Sequence, residues 1–146
     1  MKIVIVSGFF NPLHGGHLDM IEGAKQLGEY LIVIVNNDVQ QVMKKDKIIL
    51  TEQNRVRLLQ ALKFVDEVMV SLDTTDPSVI KTLEAIAQKY PNDSLVFANG
   101  GDRDSEKAIS EANVCRQYNI AMVFGVGGNN KADSSTRINQ ALGHKK

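Results

Sequence analysis

Two histidines, His14 and His17, stand three residues apart in the stretch Ser7-Gly8-Phe9-Phe10-Asn11-Pro12-Leu13-His14-Gly15-Gly16-His17. Imidazole N–H groups donate hydrogen bonds to oxygens that gain negative charge, and two of them orient a phosphoryl group better than one. Gly8, Gly15 and Gly16 lie beside them, where backbone can approach a phosphate and adopt positive φ. The preceding Lys2-Ile3-Val4-Ile5-Val6 is short, apolar and β-branched, which reads as a buried strand. Afterwards Leu18, Ile21, Ala24, Lys25 and Leu27 fall at helical spacing, with Gly28 as a stop. The stretch is therefore a strand, a glycine-bearing turn and a helix entered through His17. The first turn of such a helix carries unpaired N–H groups and a positive dipole end, which favour anions. That arrangement suits a polyphosphate whose charge rearranges during reaction. Two plainer readings of such a pair are a surface histidine beside a helix cap, and a zinc site. For zinc, only His144 and Cys115 offer further soft ligands.

Other residues suited to phosphate chemistry fall after later strands. Lys44, Lys45 and Lys47 follow the second strand, and Arg55 and Arg57 sit on the next helix. They read either as a solvated basic face or as phosphate contacts, lysine as a mobile point charge and arginine as a fork onto two oxygens. Asp38 at the end of the second strand is open between a ribose hydroxyl, a metal, an acceptor and a turn. After the fourth strand comes Asn99-Gly100-Gly101-Asp102-Arg103, where Asp102 can accept from an amino or hydroxyl group, or simply cap the next helix. Asp133-Ser134-Ser135-Thr136-Arg137-Ile138 opens the last helix with hydroxyls and free N–H groups, the makings of a second phosphate site or of a plain N-cap.

The elements that must position these groups alternate. Strands are predicted at Lys2–Val6, Tyr30–Val35, Glu67–Val70, Leu95–Ala98 and Ile120–Phe124. Helices are predicted at Gly16–Leu27, Thr51–Leu62, Pro77–Tyr90, Ser105–Tyr118 and Ser134–Leu142, with Thr51 and Asp76-Pro77 as helix starts. Asn36–Leu50 reads as a loop. Strands alternating with helices imply one α/β domain over residues 1–146, a Rossmann-like, doubly wound sheet of about five parallel strands. Its ligands bind at the carboxyl ends of the strands, where all the loops named above converge. No Gly-x-Gly-x-x-Gly follows the first strand and no P-loop lysine follows a glycine run, which argues against a dinucleotide dehydrogenase or a P-loop enzyme.

Composition sets limits. The 146 residues can bury about two-thirds of their unfolded surface. Seventeen basic and seventeen acidic residues leave no net charge, so no nucleic-acid partner is expected and any phosphate site must concentrate charge locally. The single Cys115 excludes an intramolecular disulfide and fits a reducing, cytoplasmic setting. No apolar run reaches membrane-spanning length and no signal peptide is read, so no membrane partner is expected.

Gly8-Phe9-Phe10-Asn11-Pro12-Leu13-His14-Gly15-Gly16-His17 resembles the signature loop of the cytidylyltransferase-like nucleotidyltransferases. The resemblance runs from Lys2 to about Asp73 and returns at Asn99–Arg103 and Ser134–Ile138. It implies transfer of AMP or CMP from ATP or CTP to a phosphate-bearing small molecule, with release of pyrophosphate. Glycerol 3-phosphate and heptose 1-phosphate are acceptors of this type. By resemblance His14, His17, Lys44 (with Lys45 a rival) and Arg55 are catalytic. Gly8, Phe9, Phe10, Asn11, Gly16, Gly100, Asp102, Ser134, Ser135 and Thr136 bind nucleotide, while Asp38, Lys45, Arg103 and Lys131 are candidates for the acceptor. Magnesium is expected to arrive with the triphosphate. Relatives often carry aspartate where Asn11 stands, so a direct Asn11 contact to the metal is not implied. Arg103 replaces an aromatic, and an arginine found in relatives before the last motif falls on Asn129, with Lys131 nearby. These departures keep open a second reading, a nucleotide-binding module without turnover. A homodimer is compatible with the resemblance.

Overall fold

The computed structural model describes residues 1–100 and 105–127, without the side chains of Lys45 and of residues 105–109. The expected helix Ser134–Leu142 lies outside the described residues. Strands β1 (Lys2–Gly8), β2 (Tyr30–Val35), β3 (Glu67–Val70), β4 (Ser94–Gly100) and β5 (Ala121–Val126) alternate with helices α1 (Gly15–Lys25), α2 (Asp38–Lys45), α3 (Glu52–Gln60), α4 (Ile80–Lys89) and α5 (Ser105–Gln117). The strands form one parallel sheet in the order β3-β2-β1-β4-β5.

The register follows from side-chain alternation. Ile3 and Ile5 point to one face with Ile32, Ile34, Leu95 and Phe97, against Leu83 and Ile86 of α4 and Val114 and Cys115 of α5. Val4 and Val6 point to the other face with Leu31, Val33 and Val35, against Ile21 and Ala24 of α1 and Leu59 of α3. Both faces of β1 and β2 are covered, so their sequences read as continuous apolar runs rather than alternating ones. Each buried Val, Leu or Ile contributes about 1.5–3 kcal/mol by leaving water. Gly28 is required where α1 returns to the sheet: a Cβ there would lie 2.7 Å from the Lys2 carbonyl oxygen.

Two elements differ from the sequence reading. Asn36–Leu50 contains a helix, α2, whose N-cap Asn37 accepts from the Gln40 N–H while the Gln40 side chain accepts from the Asn37 N–H. Its inward face carries Gln40 and Gln41, and its exposed face carries Val39, Val42 and Met43. Apolar periodicity therefore gave no sign of a core-facing helix. The fourth helix begins at Ile80 rather than Pro77, because the Asp73 carboxylate takes the Lys81 and Thr82 N–H groups at 2.9 and 3.2 Å. Asp76 instead accepts from the N–H and hydroxyl of Ser78. Thr51 caps the third helix as expected, accepting from Asn54 N–H. Among the described residues no helix is long and apolar enough to cross a membrane.

Candidate active site

In the strand order, β2 and β3 lie on one side of β1 and β4 and β5 on the other. The chain passes from β1 to α1 on one face of the sheet and from β4 to α5 on the other, which makes the carboxyl ends of β1 and β4 a topological switch point, the place where α/β sheets bind ligands. The histidine loop follows β1, and buried Gly100 closes β4.

His14 is the N-cap of α1. Its Nδ1 accepts from Gly16 N–H at 3.1 Å, and His17 Nδ1 accepts from His14 N–H at 3.2 Å. An imidazole nitrogen that accepts carries no proton, so both neutral rings hold their proton on Nε2. The rings stack with centroids 3.8 Å apart at 24°, and Phe10 meets His17 edge-on at 4.8 Å and 67°. Nδ1 thus fixes each ring to the helix end. His17 and Leu18 also donate their N–H groups to the His14 carbonyl oxygen. The helix end thus spends several of its N–H groups internally.

Several expected ligand contacts turn out to be internal. Gly16 donates its N–H to His14 and acts through that ring. Positive φ occurs at Phe10 (52°), not at Gly8, Gly15 or Gly16. Gly8 is needed because a Cβ there would lie 2.8 Å from Phe10 Cζ. Phe10 is a core residue, 1% exposed, packed with Val4, Val6 and Ile21. Asn11 is buried as well: its Oδ1 accepts from the N–H groups of Ile49 and Leu50 at 2.9 and 2.7 Å, and its Nδ2 donates to the Lys47 carbonyl. It is a strut between two loops.

Arg55 is enclosed by the protein. Expected on a phosphate, it is 1% exposed. Nε donates to Leu50 O at 3.0 Å, NH1 to Phe9 O and Asn36 O at 2.7 and 2.6 Å, and NH2 to Asp38 Oδ1 at 2.7 Å. Asp38 Oδ1 also accepts from Glu52 N–H, while Asp38 N–H donates to Glu52 Oε1. Asp38 and Arg55 thus form a bracket joining the histidine loop, the end of β2 and the starts of α2 and α3. Asp38 accordingly braces the site through its Oδ1.

Lys44, by contrast, is exposed in the last turn of α2 with its Nζ 4.6 Å from the centre of the half-buried Phe9 ring. The fold thus places Lys44 against Phe9 of the histidine loop. The Lys45 side chain, Asp102, Arg103, Lys131, Ser134, Ser135 and Thr136 lie outside the described side chains.

A set of buried amides went unrecognised. Asn37 Nδ2 donates to Ser71 O and Asp73 O, Gln40 Nε2 to Asp76 O and Ser78 O, and Asn36 Nδ2 to Pro77 O. They knit the loops after β2 and β3 into one rigid edge. The Asn37-x-x-Gln40 capping pattern was the available signal. Asn99 near the end of β4 is fully buried, and its Oδ1 finds no donor among the described residues.

With this geometry, the family can be stated. A cytidylyltransferase-like family model matches residues 5–145. The chain belongs to that family. It is 33% identical over 144 residues to a FAD synthase of Methanosphaerula palustris, covering 97% of this chain and 88% of that one. It is 41% identical over 69 residues to glycerol-3-phosphate cytidylyltransferase of Bacillus subtilis, 47% of this chain and 54% of that enzyme. The chain thus spans about half the length of the first curated relatives it matches, 54% in each. The crystal structure of a lipopolysaccharide core biosynthesis protein from Thermoplasma volcanium superposes with a TM-score of 0.69 at 25% identity, covering 91% of this chain and 99% of that one.

Proposed function

We propose that the protein is a nucleotidyltransferase that moves AMP or CMP from ATP or CTP to the phosphate of a small acceptor. The observation that carries this reading is the pair of capped imidazoles, both in the Nε2–H form, at the sheet's switch point. An acceptor phosphate oxygen attacks the α-phosphorus in line, a new P–O bond forms, the bond to the bridging oxygen breaks, and pyrophosphate leaves. His14 and His17 donate to oxygens on which charge accumulates, and Lys44 neutralises a phosphate as a mobile point charge. The Arg55–Asp38 bracket holds the loop carrying the histidines. No covalent enzyme intermediate is required.

Magnesium enters as part of the triphosphate complex, held chiefly by phosphate oxygens. Among the described residues no three His, Cys, Asp or Glu side chains converge, and Asn11 Oδ1 accepts from two N–H groups.

One relative that matches over most of both lengths is a FAD synthase. FAD is an AMP unit joined by a phosphoanhydride bond to riboflavin 5′-phosphate, so the first acceptor pair is flavin mononucleotide with ATP. The 41% identity to glycerol-3-phosphate cytidylyltransferase supports a second reading, glycerol 3-phosphate or another polyol or sugar phosphate. Pyrophosphate release is measured with magnesium, ATP or CTP, and flavin mononucleotide, glycerol 3-phosphate or heptose 1-phosphate. One pair is expected to turn over, and His14→Ala to abolish it. Tight nucleotide binding with no pyrophosphate from any pair would refute the reading and leave a non-catalytic binding module.

A further inference from the structure

We propose that Phe10 is a positioning residue of the reaction, holding the His17 ring in the one orientation that presents Nε2–H. The inference rests on His17 being the phosphate donor of the proposed reaction. It begins with an oddity of the backbone: Phe10 adopts φ 52°, a region that L side chains with bulky Cβ substituents rarely occupy. Such a conformation persists where the surroundings over-determine it, and such sites cluster where geometry matters for function. Here the surroundings are specific. A Cβ on Gly8 would lie 2.8, 3.1 and 3.2 Å from three atoms of the Phe10 ring. The ring is anchored among Val4, Val6 and Ile21 of the core and meets His17 at 67°.

The need for such a contact follows from imidazole chemistry. The χ2 torsion of histidine is broad and roughly two-fold, so the ring is not fixed by its own rotamer preferences. A half-turn exchanges Nδ1 with a carbon and Nε2 with a carbon, losing both the cap from His14 N–H and the donor. The 3.2 Å cap is one hydrogen bond between partly buried groups, and His14, stacked at 3.8 Å, meets the ring on one face as it turns about Cβ–Cγ. Phe10 meets it from a second direction, at 67°, and is the contact that ties this restraint on χ2 to the core. The left-handed turn at Phe10 delivers the ring to that position while Asn11 leaves for its strut to Ile49 and Leu50. Phe10 thus couples the rigid core to the orientation of one imidazole without touching substrate.

The test pairs a spectroscopic readout with kinetics. Long-range ¹H–¹⁵N spectra of the nucleotide-free protein report the His17 tautomer, with resonances assigned by His17→Asn. The wild type is expected to show one Nε2–H form. Phe10→Leu, which keeps apolar volume but not the planar ring, is expected to show a mixture of tautomers. Its kcat is expected to fall by about 10²-fold, the scale of a misplaced catalytic group, with KM for the nucleotide within about threefold of wild type. Should Phe10→Leu not fold, Gly8→Ala displaces the ring from its other side and is expected to give the same pattern. A folded variant of either kind with a single Nε2–H tautomer, or with unchanged kcat, overturns the proposal. The spectra need no turnover, so a wild type without activity but with the expected tautomer shift refutes the proposed reaction while supporting the positioning of His17.

Discussion

Replacing Arg55 by methionine separates a phosphate ligand from an internal bracket. The methionine keeps the unbranched stem and removes the fork. Three carbonyl oxygens, of Phe9, Asn36 and Leu50, each lose an N–H partner at 2.6–3.0 Å. A buried acceptor left unsatisfied costs about 1–3 kcal/mol, and the lower end applies where loop ends admit water. The Asp38 carboxylate also loses its cation, but its side chain is 30% exposed, so that loss is worth only about 1 kcal/mol. Relief from burying the guanidinium offsets part of the sum. The net expectation is about 3–4 kcal/mol of destabilisation in the ligand-free protein. At 146 residues that lowers Tm by roughly 8–15 °C. Arg55→Lys keeps the charge but cannot span three carbonyls and a carboxylate, and should fall in between. Thermal and urea unfolding without nucleotide reads this directly. A phosphate-binding Arg55 predicts the opposite pattern: near-wild-type stability and a higher KM for nucleotide. A Tm within about 2 °C of wild type in Arg55→Met would refute the bracket.

Removing one oriented donor by His17→Ala should lower kcat by about 10²–10³-fold, measured as pyrophosphate release. It should also lower stability by about 1 kcal/mol, because the cap on His14 N–H goes with it. Glu67 titrates low: burial pushes its carboxyl up, but donors from Tyr90, Lys89 and Tyr30 outweigh burial and hold it below its ordinary value. A depressed carboxyl stabilises the fold above its unfolded pKa, about 4.3, and that contribution is lost as pH falls through the folded value. The Tm gap between wild type and Glu67→Gln should therefore be full at pH 7 and close below about pH 4, as read by thermal melts across pH. The Cys115 thiol is pushed up to about 11, first by burial and then by the nearby Glu111 carboxylate. A thiol reagent at pH 8 should leave the native protein unlabelled and react once urea unfolds it.

What could be read from the sequence was what depends on neighbours along the chain. The five strands were found within about two residues of their ends, because β1 and β2 are buried on both faces and so appear as unbroken apolar runs. The histidine pair was legible for a related reason. Its cap, ring stack and tautomer are all set within Phe10–His17, by bonds no longer than 3.2 Å between residues two or three apart. Helix α2 was hidden because it turns two glutamines inward and leaves its valines exposed, the reverse of the pattern that apolar periodicity detects.

The roles of Arg55, Asn11 and Asp38 depend instead on which loops the sheet order brings together. Asn11 reaches 38 and 39 residues ahead to Ile49 and Leu50, and Arg55 reaches back 46 residues to the Phe9 carbonyl. A basic residue beside a phosphate motif reads as a ligand until its donors are followed to their acceptors, and here four of the five guanidinium N–H bonds end on the protein itself. Lys44, in the same neighbourhood, is exposed, with its Nζ 4.6 Å from the centre of the Phe9 ring on a flexible four-carbon stem. Under the proposed reaction the two kinds of cation divide by chemistry: the planar fork fixes the scaffold, and the flexible point charge is the one offered to a phosphate.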